Sequence, residues 1–134
     1  MSNSTDRIRI KIQRAEEHIR DLEPELKAFF DTNPYAVGTK HNPQTGQLIY
    51  YLVSVRDVPE RISAITGEVL QNLRSALDHL AYALFMIGPG GTSGSPAKHV
   101  YFPISDDATK YVTESPGKVK GMRQDAIDAI NATT

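Results

Sequence analysis

Apolar residues recur along this chain in two long helical registers, separated by a stretch patterned differently. Ile8, Ile12, Ala15, Ile19, Leu22, Leu26 and Phe29 return at steps of three and four. They predict an amphipathic helix that follows a Ser4 or Thr5 cap. Pro24 interrupts the register and predicts a kink or a restart, because its ring removes a donor and crowds the preceding turn. The second register runs from Arg61 to Ile87, with Pro59 suited to the first turn, Asp57 as a candidate cap and Gly88-Pro89-Gly90-Gly91 as the stop. At about 100° per residue, Val69, Leu70, Leu73, Ala76, Leu77, Leu80, Ala83 and Leu84 share one broad arc.

Between the registers, Tyr35-Ala36-Val37 and the run Leu48 to Val55 are rich in aromatic and β-branched residues and flank Asn42-Pro43-Gln44-Thr45-Gly46. This is the signature of a β-hairpin inserted over 35–56. Residues 88–98 are rich in Gly, Ser and Pro and predict a flexible loop. His99 to Ile104 predicts a short extended segment that lays Phe102 and Ile104 on the helices. Asp106 or Asp107 then caps a short helix through Val112, which Pro116-Gly117 ends. A final helix from about Gly121 to Asn131 is expected to bury Met122, Ile127 and Ile130. The whole predicts a mostly α fold in one domain spanning 1–134. It is a small helical bundle in which a long kinked N-terminal helix lies antiparallel to a central helix, with two shorter C-terminal helices and an inserted β-hairpin. Two long apolar stripes in so short a chain also predict a homodimer.

Composition narrows the function classes. A formal net charge of -1 excludes a strongly basic nucleic-acid coat, though not a local basic face. The absence of Cys excludes a disulfide framework and a thiolate metal site, and fits a reducing cytoplasm. The longest apolar run, Leu80 to Ile87, is about eight residues, against roughly 20 for a membrane span, and the first residues lack the apolar core of a signal peptide. A cytoplasmic protein with no membrane partner is therefore expected.

Candidate chemistry concentrates on the central helix. Opposite its apolar arc lie Glu68, Gln71, Asn72, Ser75, Asp78, His79 and Tyr82, in a stripe roughly 100° wide. Amides, hydroxyls and an imidazole suit a half-buried polar seam or cleft better than open water. Arg74 and Asp78 stand one turn apart and can pair, whereas His79 is rotated about 140° from Arg74. Other chemistries fit poorly. The glycine stretch leads into Lys98 and His99 rather than into a helix, so it is no phosphate loop. No Glu stands three residues before any of His18, His41, His79 or His99, so neither a metal nor another cofactor is expected. Ser75 lies mid-helix, where its expected role is a hydrogen bond to a helix carbonyl rather than nucleophilic attack. Arg7, Lys11 and Arg14 share one helical face that reads as a solvated surface or as a strip attracting an anionic polymer.

The string Arg74-Ser75-Ala76-Leu77-Asp78-His79, an Arg-x4-His on an amphipathic helix, resembles the signature of the HEPN superfamily. These helical domains occur in prokaryotic toxins, phage-defence proteins and RNA-processing factors. Members with the intact motif are commonly metal-independent endoribonucleases, dimeric, with two motif helices lining one cleft. The resemblance implies RNA as partner, Arg74, His79 and Asp78 as catalytic residues, and Asn72, Ser75 and Tyr82 as supporting or binding groups. In that scheme His79 takes the proton of the 2′-hydroxyl, Arg74 stabilises charge on the phosphorane oxygens, and Asp78 orients either one. Ser75 departs from the Asn, Asp or His usual after the arginine, and a hairpin at 35–55 is foreign to a minimal four-helix HEPN bundle. A wider pattern, Arg14-Ala15-Glu16-Glu17-His18-Ile19, Asn33-Pro34-Tyr35, Asn72 to Leu80 and Phe102-Pro103-Ile104, resembles a group of uncharacterised bacterial proteins. The alternative is a non-catalytic helical dimerisation or protein-interaction domain whose polar seam is structural. A nucleotide or small-molecule binder stands between the two.

Overall fold

Asn3 precedes the first helix, and its backbone N–H donates to the Asp6 carboxylate at 3.2 Å, a reciprocal contact typical of a helix start. The computed structural model describes residues 3–133. Helix α1 spans Ser4–Asp31, so Ser4 and Thr5 lie inside it rather than capping it. It also runs through Pro24 without restarting, since an exposed proline forfeits one backbone bond while the flanking turns hold. Asn33, in the left-handed region at φ 50°, turns the chain away from α1, and the Thr32 hydroxyl donates to the Phe29 carbonyl at 2.6 Å.

Strands β1 (Tyr35–His41) and β2 (Leu48–Val55) form the predicted antiparallel hairpin, in register from Tyr35↔Val55 to His41↔Leu48 with an irregularity at Ala36/Val37. The Asn42 side chain accepts the Gln44 N–H at 2.9 Å, and Gly46 closes the turn at φ 71°. Helix α2 (Glu60–Met86) follows, then a short helical turn α3 (Pro89–Thr92), α4 (Ala108–Lys118) and α5 (Gln124–Asn131). Among the described residues the chain is thus mostly helical, with five helices and one two-stranded sheet. None of those helices is long and apolar enough to cross a membrane.

The chain divides into two compact units, each holding part of α1 and part of α2. The unit of residues 15–70 buries Ala15, Phe29, Ile62, Ile65 and Val69. In it His18 faces Glu68 at 3.4 Å and Arg61 pairs with Glu25 at 2.6 Å. Rising numbers on α1 meet falling numbers on α2, the expected antiparallel arrangement. Phe29, Phe30 and Tyr35 form a ring cluster at the base of the hairpin, with Phe29 edge-on to Tyr35 at 6.4 Å.

The other unit, which includes residues from Gln71 onward, has Ala81, Phe85, Val119, Met122 and Ile130 as its core, with Leu84, Phe102 and Ile127 packed against it. Stretch 88–98 is more structured than a bare loop, because it wraps the Phe85 ring. A Cβ on Gly90 would fall 2.1 Å from that ring, and the Gly90 N–H donates to the Gly121 carbonyl at 2.8 Å. Several boundaries differ from the sequence expectation. Asp107 caps α4 by accepting the Lys110 N–H at 2.8 Å, but the helix continues past Val112 and through Pro116-Gly117 to Lys118. Helix α5 starts at Gln124 rather than near Gly121. Phe102 packs as expected, whereas Ile104 is half exposed. On α2, Leu70 and Leu73 are exposed, and Ala81 and Phe85 are buried in their place.

Candidate functional site

The buried row of α2 explains where its polar residues sit. At about 100° per residue, Arg74, Asp78, Ala81 and Phe85 fall within roughly 60° of one another. Arg74 and Asp78 therefore continue, one and two turns earlier, the same face that becomes core at Ala81 and Phe85. The Arg74 Nε donates to Asp78 Oδ2 at 3.0 Å, with both side chains about one-third exposed. The other carboxylate oxygen, Oδ1, accepts the backbone N–H of Phe102 at 3.1 Å. One carboxylate thus joins a guanidinium on α2 to the segment that precedes α4.

Phe102 was legible as an apolar residue but not as a donor. The available signal is Pro103, which holds the residue before it in extended backbone and leaves that residue's N–H without a helical partner. Asp78 supplies the acceptor.

His79 occupies a different sector. It is half-buried and makes no side-chain hydrogen bond among the described residues. Asn72 and Ser75 are also half-buried, whereas Tyr82 is exposed, so most of the sector is the partly sheltered polar seam that the sequence predicts. Asn72 has a polar partner. Of the six site candidates, the structure joins Arg74 to Asp78. It leaves His79 about 140° around the helix from Arg74.

Two concavities lie away from the six candidates. One of about 640 Å³ is lined by Phe85, Gly90, Ser93, Ser95, His99 and Lys120, among others. Another, of about 670 Å³, runs along Phe102, Ile104, Ser105, Tyr111 and Val112. Beside it the Ser105 hydroxyl is buried without a hydrogen-bond partner. The first joins α2 to the segments around 89–100 and 117–121, and the second follows the stretch 102–112 into α4. Among the described residues no three His, Cys, Asp or Glu side chains gather as a metal would require.

Comparison of the chain with protein-family models, curated proteins and solved structures returns no match.

Proposed function

We propose that this chain is a metal-independent, RNA-cleaving domain of HEPN type that acts as a homodimer, with Arg74 and His79 as its working groups. The observation that carries the reading is how Arg74 is held. Its ion pair with Asp78 engages Nε, and neither terminal amino group has a protein acceptor among the described residues. A guanidinium anchored at Nε and open at its outer edge suits the oxygens of a phosphodiester. The imidazole of His79, half-buried and without a hydrogen-bond partner among the described residues, suits a general base.

The chemistry balances without further reagents. His79 removes the 2′-hydroxyl proton, the 2′-oxygen attacks phosphorus, and the 5′-oxygen leaves and takes up a proton. The products are a 2′,3′-cyclic phosphate and a 5′-hydroxyl. Arg74 neutralises the charge that grows on the non-bridging oxygens. Asp78, occupied by Arg74 and the Phe102 N–H, positions the arginine rather than the histidine. An angle of about 140° keeps both groups of one helix from meeting a single phosphate, so the site is composed of Arg74 from one copy and His79 from another.

The test is cleavage of single-stranded RNA in EDTA. Arg74→Ala and His79→Ala should each abolish cleavage and the cyclic-phosphate ends while the melting temperature stays within a few degrees. One observation favours a second reading, a non-catalytic interaction domain: Asp78 accepts the Phe102 N–H and so ties α2 to the segment before α4. If the wild-type chain leaves RNA intact and both variants lose helical structure, the second reading replaces the first.

A further inference from the structure

We infer that the outer edge of β2 is an interaction surface for a second copy of this chain, joined antiparallel about a two-fold axis through Tyr50 into a four-stranded sheet. The inference does not rest on the RNA reading, and a chain without nuclease activity would still require it.

Strand β2 reads Leu-Ile-Tyr-Tyr-Leu-Val-Ser-Val, and all eight residues are exposed. Its seven large apolar side chains are between 45 and 68 % accessible. They alternate between the two faces of the strand, so both faces of the hairpin are apolar and open. A two-stranded hairpin open on both faces is at best marginal in water, so its free edge needs a cover that adds strands.

The edge tells which cover fits. The outer edge of β1 carries Lys40 and His41 and follows Pro34, the devices that discourage strand addition. Strand β2 has no charge and no proline, so its edge is undefended. The Asn42 N–H donates to the Gln47 carbonyl at 2.9 Å, which fixes the alternation. Ile49 and Tyr51 turn their backbone groups toward β1, and Leu48, Tyr50 and Leu52 turn theirs outward. An antiparallel copy of the same strand offers matching donors and acceptors in reverse order. Centring the axis on Tyr50 sets Tyr50 beside Tyr50 and Leu48 beside Leu52, with no like charges opposed. The irregularity at Ala36/Val37 falls beyond Leu52 and leaves this stretch regular.

The chain contains no cysteine, so one substitution introduces a unique thiol. Under mild oxidation of the whole 134-residue chain, Tyr50→Cys should yield a covalent dimer. Thr45→Cys should not, since two turn residues five positions from the axis stand about 34 Å apart at 3.4 Å per residue. Tyr50→Lys should lower the sedimenting mass while the helical circular-dichroism signal persists. If Tyr50→Lys loses that signal, the cross-linking comparison decides alone. A wild-type chain that sediments as a monomer at micromolar concentration overturns the proposal. So does a folded Tyr50→Lys chain that sediments as the wild type does, or a Thr45→Cys chain that cross-links as well as Tyr50→Cys.

Discussion

Phe102 and Asp78 are 24 residues apart, yet the backbone N–H of one donates to the carboxylate of the other at 3.1 Å, while the second carboxylate oxygen holds Arg74 at 3.0 Å. The residue that orients the candidate catalytic arginine is thus also the one that fastens the segment before α4 to α2. Site geometry and local stability are coupled through a single side chain.

Replacing that side chain separates the two roles. Asp78→Ala strands a part-buried N–H and releases Arg74, and should cost about 1–3 kcal/mol in urea unfolding. Asp78→Asn keeps a carbonyl acceptor for Phe102 but loses the charge on Arg74. It should cost less, about 0.5–1 kcal/mol, while still lowering RNA cleavage. Equal losses from the two variants would show that the Phe102 bond contributes little.

Two glycines should respond in opposite directions. A methyl on Gly90 would fall 2.1 Å from the buried Phe85 ring, so Gly90→Ala should destabilise by about 1–3 kcal/mol. A methyl on Gly67, exposed within α2, meets nothing within 4 Å. Gly67→Ala should stabilise by about 0.5–1 kcal/mol through helix propensity and lost freedom in the unfolded chain. Thermal melts of the two variants check both signs.

The Arg61–Glu25 pair joins two helices but holds a guanidinium that is 70 % exposed. Arg61→Ala should change stability by less than about 1 kcal/mol, and the change should shrink further in high salt.

The architecture was legible because long periodic registers are strong signals. Both long helices, the hairpin with its Asn42–Gly46 turn, and the burial of Met122 and Ile130 follow from spacing and turn chemistry. Elsewhere tertiary contacts overrule local rules. Leu70 fits the apolar arc of α2 but is 63 % exposed, because the buried face of that half of the helix is the row Ile62, Ile65 and Val69, roughly 80–140° around from it. Pro116 sits inside α4 rather than ending it, and the glycine stretch owes its composition to the ring of Phe85. In the site, the Arg74–Asp78 pair follows from a spacing of four on one helix. The Phe102 bond does not, since no local pattern names a donor 24 residues away.

Mixing two inactive variants tests the composite site most directly. If Arg74 and His79 act across two copies, a heterodimer of Arg74→Ala with His79→Ala keeps one intact site out of two. Statistical pairing makes half of the dimers mixed, so the mixture should recover roughly a quarter of wild-type RNA cleavage in EDTA. A mixture as inactive as each variant alone, after exchange of subunits has been verified, would contradict the account.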